Sequence, residues 1–272
     1  MDDAAAFARL IRALRPWLGH LVIVGGWAHR LHRLHPLARK PHYAPIRTRD
    51  VDLAMSLRAP IEGDIRAALE REGFTREFVG TDTPPVTYYA LGDEDAAFYA
   101  EFLVPLVGSE LKRDGTPDVA VSKAGVTVQK LRHLEVLLVS PWSARLDAQT
   151  EVPFDEPIEV LLANPVSFIV QKLLIHQVRT PDKRAQDVLY IHDTLELFGA
   201  ALDELQVVWR EQVRPEIPEK TAKRAQRLAS ELFAQVTDAI RQAARIAQDR
   251  LLAPEVVRGA CEYGLEQVFP PS

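Results

Sequence analysis

Two aspartates, Asp50 and Asp52, stand two residues apart in the stretch IRTRDVDLAMSL. Apolar Val51 and Leu53 alternate with them, which is the period of a β-strand. Side chains at i and i+2 leave a strand on one face, about 6.6 Å apart along it. Two carboxylates so placed can share divalent cations. Mg²⁺ takes one or two carboxylates and fills its other positions with water and substrate phosphate. Two such ions roughly 4 Å apart clamp the attacking and leaving oxygens of an in-line phosphoryl displacement. A solvated acidic face on an edge strand is the other reading of the pattern. Glu101 is the candidate third acid. Its neighbours in AFYAEFLVPL are apolar or aromatic, so an unpartnered carboxylate there is costly. Asp93 and Asp95 fall in the turn GDEDA and read as solvated.

A second feature precedes the aspartates. The run HLVIVGG ends in Gly25 and Gly26 and leads into WAHRLHRLH. A strand, two glycines and a helix start present unpaired backbone N–H groups where an anion can sit. Glycine also lets a phosphate approach the backbone closely. A plain strand-to-helix turn explains the pair as well. The run is neither a Walker loop, lacking its lysine and Ser/Thr, nor a G-x-G-x-x-G dinucleotide pattern. His29, His32 and His35 recur at every third residue. No Cys, Asp or Glu accompanies them, so they read as the polar side of an amphipathic helix rather than a Zn²⁺ site. Arg30, Arg33, Arg39, Lys40, Arg47 and Arg49 are unrelieved by any acid. They form either a solvated loop or a positive rim for triphosphate or RNA.

These residues need elements to hold them. Phe7, Leu10, Ile11, Leu14 and Leu18 give a helix over Ala4 to Leu18. The β-branched run before Gly25 is a buried strand. The helix from Trp27 stops at Pro36, and a proline-rich basic loop leads to the D-x-D strand. A helix over Ile61 to Glu72 ends near Gly73. Strands follow at VTYYAL and AAFYAEFLVPLVG, with strand character again in GVTVQKLRHLEVLLV and PIEVLL. From Asn164 the pattern is helical, including one long helix over Thr221 to Leu251 and a last one from Pro254. The expected division is a mixed part, residues 1–163, and an all-helical part, residues 164–272.

The 272 residues are 47% hydrophobic and 26% charged, which suits an ordinary globular chain. The net charge of −5 argues against a generic nucleic-acid coat, though not against a local basic groove. One cysteine excludes an internal disulfide. No run approaches a membrane span, and the acidic, amphipathic N-terminus lacks a signal-peptide pattern. A cytoplasmic protein with no membrane partner is the expectation.

Taken together, IVGGWAHRLH, RTRDVDL and YAEFLVP resemble the nucleotidyltransferase fold of the DNA polymerase β superfamily. The resemblance is closest to its small bacterial members of the abortive-infection and type IV toxin kind. It covers most of Leu21 to Leu197, and its specificity lies in the ordered set. It implies an α+β fold, a mixed sheet flanked by helices and followed by an all-helical C-terminal part. It implies transfer of a nucleoside monophosphate from an NTP to a hydroxyl: an RNA 3′ end such as tRNA, a protein side chain or a small molecule. A cognate antitoxin is the implied partner. Asp50, Asp52 and Glu101 would hold two Mg²⁺ ions, with Glu101 alternatively a base. Gly25, Gly26 and the Trp27 N–H would seat phosphates. Thr48 matches a position where relatives carry Ser or Thr, and Arg47 and Arg49 flank it. SFIVQKLLIHQVRTPDKRAQDVLYI matches the helical basic motif. Lys172 would neutralise the triphosphate or else snorkel on its helix, Arg179, Lys183 and Arg184 would line the cleft or else face solvent, and Asp187 would orient a base or pair with Lys183. The departure is Gly26 where many members have serine. A nucleotide-binding protein without catalysis is therefore the second reading, and a metal-dependent phosphohydrolase a third.

Overall fold

The computed structural model describes residues 2–79, 86–92, 98–112 and 115–270. In chain order, α1 (Asp3–Leu14) precedes β1 (Val22–Val24), α2 (Gly25–Leu31), β2 (Asp50–Ala54) and α3 (Ile65–Arg71). Then come β3 (Thr75–Val79), β4 (Val86–Leu91), β5 (Phe98–Pro105), β6 (Ala120–Lys123), β7 (Val126–Leu131), β8 (Trp142–Leu146) and β9 (Ile158–Leu162). Helices α4 (Pro165–Ile175), α5 (Pro181–Leu197), α6 (Leu202–Val207), α7 (Glu219–Leu232), α8 (Asp238–Ile246) and α9 (Pro254–Val268) follow. The architecture is α+β, a mixed sheet with helices and then a helical C-terminal part.

The sheet runs in the order β3-β4-β5-β2-β1-β9-β8, with β7 joined to β5 and β6 to β7. Pairs β2·β5, β1·β9 and β5·β7 are parallel and the others antiparallel. One face carries Val51, Leu53, Tyr89, Phe98 and Phe102, all buried. Phe7 of α1 stacks on Trp27 at 3.9 Å, and Trp27 meets Phe98 edge-on at 6.1 Å. On the other face Val22, Val24, Ala54 and Leu103 pack with Leu134, Leu137 and Ala163. That cluster fills the face at one end of β2 and leaves the Asp50 end to the site.

Local signals explain the helix starts. The Asp2 carboxylate accepts from Ala4 N, and Asp64 accepts from Ala67 N at 3.0 Å. Asn164 Oδ1 accepts from Ser167 N at 2.8 Å, and Pro165 fills the first turn of α4, where no N–H is needed.

Contacts divide the chain into two compact units. One holds residues 1–28 and 47–163, the other residues 29–46 and 164–272. In the second, the 29–46 segment is tied down by Arg39 N–H to Leu197 O at 2.8 Å. Ala44 N–H to Asp249 at 2.9 Å is a second tie.

The structure corrects several expectations. His29 and His32 are buried, not on a polar helix surface. Their rings lie against Phe168, with Tyr190 beside His29 and Phe198 beside His32. An imidazole kept neutral packs as an aromatic ring. Burial drives the His29 pKa down to about 3, offset in part by Asp193. The long helix over Thr221–Leu251 is two helices, because Thr237 caps a new start by accepting from Ile240 N. Strands β3, β6 and β8 add to those expected. Asp93 and Asp95 lie outside the described residues.

Candidate active site

Strand register assembles the acids. In the antiparallel pair β1·β2, Val24 lies opposite Asp52. In the parallel pair β2·β5, Asp50 lies opposite Tyr99 and Asp52 opposite Glu101. Because residues two apart share a face, Asp50, Asp52, Tyr99 and Glu101 stand together. Asp50 is exposed, and the other three are half-buried. Neighbouring strands are about 4.8 Å apart, so Asp52 and Glu101 are side by side. These are hard oxygen donors without Cys or His, the set that suits Mg²⁺.

Gly25 follows Val24 directly and adopts φ +63°. That left-handed conformation favours glycine. A side chain would also be blocked in space, since a Cβ on Gly25 would run into the Asp52 carboxylate. The glycine is required by its closeness to an acid as well as by its backbone. Gly26 and Trp27 continue the first turn of α2, with the Trp27 ring in the core. Thr48 Oγ1 donates to Asp50 O at 3.4 Å, which steadies the start of β2. Arg47 is exposed and paired with Asp3 at 3.0 Å.

One residue on this face was not singled out from the sequence. Tyr89 lies opposite Ala100, which puts Tyr88 one step on, beside Glu101. The Tyr88 and Tyr99 rings meet edge-on at 6.4 Å. Burial raises the Tyr88 phenol pKa, and the charges of Glu101, Asp50 and Asp52 raise it further. The phenol therefore keeps its proton among three carboxylates. The alternation in VTYYAL carried the signal: Tyr89 faces the core, so Tyr88 must face the acids.

The basic motif belongs to the helical unit. Lys172 Nζ lies 2.8 Å from Asp187 Oδ1, and Arg179 Nε lies 3.3 Å from Asp187 Oδ2. Lys172 is 5% exposed and Asp187 1%, so this is a buried ion pair. Asp187 pairs with these two cations and not with Lys183. The Lys172 ammonium also sits over the Phe168 and Tyr190 rings, at 5.4 and 5.2 Å. Arg184 donates to Gln177 O at 2.8 Å, and the exposed Lys183 reaches Gln186 at 3.5 Å.

A further group in this unit has metal-ligand chemistry: His192, Asp193 and Glu196, with donor atoms within 4.8 Å of one another. Three of their donor atoms already have protein partners, while the buried Asp193 Oδ2 has none among the described residues. His192 Nδ1 and Asp193 Oδ1 share a hydrogen bond at 2.9 Å, Arg250 donates to Asp193, and Tyr43 donates to Glu196 at 2.7 Å. Burial would push the Asp193 carboxyl up, but the hydrogen bonds from His192 and Arg250 outweigh it and hold it low.

Among the described residues no helix is long and apolar enough to cross a membrane. No curated protein matches the chain. A family model described as Nucleotidyltransferase matches residues 2–214, which includes both the glycine turn and the acid-bearing strands. That family implies an NTP substrate and transfer of its nucleoside monophosphate. By this match over most of its length, the chain belongs to a nucleotidyltransferase family.

Proposed function

We propose that the chain is an Mg²⁺-dependent nucleotidyltransferase whose catalytic unit carries Asp50, Asp52 and Glu101. It would move a nucleoside monophosphate from an NTP to a hydroxyl acceptor and release pyrophosphate. The observation that carries this reading is the register of β2 on β5. It sets Asp52 beside Glu101, with Gly25 so near the Asp52 carboxylate that a side chain there would displace it.

The three carboxylates would hold the ions. Bound Mg²⁺ would supply charge neutralisation at the triphosphate and activation of the acceptor hydroxyl. Gly25 and Gly26 give the outer phosphates a close backbone approach. Glu101 stands on the far side of Asp52 from the glycines, where it can orient the acceptor and take its proton. Thr48 fixes the strand that presents Asp50. Tyr88, kept protonated, can donate a hydrogen bond beside Glu101.

The test incubates the protein with each α-labelled NTP, Mg²⁺, total tRNA and cell extract. Transfer of label by the wild type, and none by Asp52→Ala, is expected. Equal labelling by both would remove the D-x-D assignment. Mg²⁺-dependent NTP binding without transfer to any acceptor would favour a binding protein instead.

A further inference from the structure

The acid row continues beyond Glu101, and the residues there bear on what the acceptor is. Val24, Asp52 and Glu101 lie opposite one another across β1, β2 and β5. Tyr88 is the next position on β4, and Tyr88 lies opposite Glu77 on β3. One line across the sheet therefore reads glycine turn, Asp52, Glu101, Tyr88, Glu77. Strand spacing puts Tyr88 about 5 Å and Glu77 about 10 Å beyond Glu101. Among the described residues strand β3 is the last in its direction, so the line ends there at a sheet edge. Its cation, Arg76, and the exposed Phe78 belong to the opposite face, since Arg76 lies opposite Tyr89 and Phe78 opposite Thr87.

In-line displacement gives this order a direction. The nucleophile enters opposite the leaving group. On the functional reading above, on which this inference rests, pyrophosphate leaves toward Gly25 and Gly26. The acceptor then enters from the β5–β4 side, over Tyr88 and Glu77. An RNA end would need Lys or Arg there to neutralise its phosphates. The line offers a phenol ring and a carboxylate instead. A cationic side chain matches both, by ion pairing with Glu77 and by lying over the Tyr88 ring.

We propose that the acceptor is a polypeptide hydroxyl flanked by lysine or arginine, held on its approach by Tyr88 and Glu77. The hydroxyl oxygen bonds to the α-phosphorus and the bond to pyrophosphate breaks. The hydroxyl proton passes to solvent.

The test uses three probes: a fluorescein-tagged short peptide with one serine among lysines, its glutamate-flanked twin, and a short single-stranded RNA. Binding is read by anisotropy without added metal, and transfer by label from an α-labelled NTP with Mg²⁺. The lysine peptide should bind roughly ten-fold tighter than its twin and take the label on serine. Glu77→Lys should reverse the preference, and Glu77→Gln should abolish it. Tyr88→Ala should weaken the lysine peptide several-fold. Affinity for a fluorescent NTP analogue should stay unchanged in the two Glu77 variants, which also checks their folding, and an unchanged far-UV circular dichroism spectrum checks the folding of Tyr88→Ala. Labelling of the RNA alone, or a peptide preference indifferent to Glu77→Lys, overturns the acceptor class and leaves nucleotidyl transfer standing. Transfer to no acceptor, with or without Asp52, overturns the functional reading and this inference with it.

Discussion

Gly25→Ala tests the site geometry without touching an acid. Two costs arise in the variant. Alanine at φ +63° is strained by about 1–2 kcal/mol. The new methyl also meets the Asp52 carboxylate, so Asp52 must turn away or the glycine turn must shift. The second cost exists only while Asp52 is present. In an Asp52→Ala background the strain remains and the clash is gone. Unfolding of all four proteins, by heat and by urea, separates the terms as a double-mutant cycle. In the Asp52→Ala background, Gly25→Ala should lower Tm by roughly 2–8 °C, the shift expected for about 1–2 kcal/mol. In the wild-type background it should cost about 1 kcal/mol more, within the usual range of coupling between touching residues. Pyrophosphate release by Gly25→Ala should fall about a hundred-fold, since misplacing a reacting group by 1 Å has that effect. Equal destabilisation in both backgrounds would refute the close approach, and full activity would refute its importance.

Other outcomes follow from the same geometry. Removing Lys172 leaves Asp187 buried with Arg179 alone, so Lys172→Ala should cost about 3–5 kcal/mol in urea unfolding. His29 is neutral when folded, with its pKa at about 3 against a reference of 6.5. The unfolded chain takes up a proton below 6.5, so stability is lost as pH falls from 6.5 toward 3, by up to about 1.4 kcal/mol per pH unit. His29→Leu should flatten that slope in unfolding curves taken across the same pH window. Trp27→Ala opens a cavity between Phe7 and Phe98 and should cost about 3–5 kcal/mol by the same method. EDTA should abolish NTP turnover while far-UV circular dichroism stays unchanged, because the strands that carry the three carboxylates are held by their own ladders and by the buried face of Val51, Leu53 and Phe102.

Strands with partners on both sides were legible in the sequence, and edge strands were not. β1, β2 and β5 carry apolar runs or clean alternation because at least one face is buried. β3 is TREFV, β6 is AVSK and β8 is WSARL. Each stands at an edge of the sheet or pairs with one strand only. Charged residues are what edges carry to discourage further pairing, and the same residues hide the strand period. The alternation of Asp50 and Asp52 fixed their common face. Which residues stand beside them was a matter of register, which no local pattern specifies. Hence the apolar neighbours of Glu101 mark it and the alternation in VTYYAL turns Tyr88 away from the core, but only the register sets the two side by side. The burial of His29 and His32 lies outside the apolar stripe of their own helix, so no local pattern marks it. The rings of Phe168, Tyr190 and Phe198 that cover them come from far along the chain. The break before α8 leaves no mark in the spacing, because alanine and arginine keep helical spacing on both sides of Thr237.

The path of residues 29–46 bears on how the protein can be cut. The chain leaves the sheet-bearing unit four residues after Gly25, joins the helical unit, and returns three residues before Asp50. The glycine turn and the acids thus bracket a stitch sewn into other cloth. A truncation after Ala163 would keep every proposed metal ligand. It would also remove Leu197, Glu196 and Asp249, which hold Arg39, Tyr43 and Ala44. His29 and His32 would lose the rings that cover them. Such a fragment would carry an unanchored, part-apolar loop between the two halves of its own site. The helical unit is therefore no detachable appendage, and a minimal catalytic fragment would have to be built by shortening that loop as well as the C-terminus.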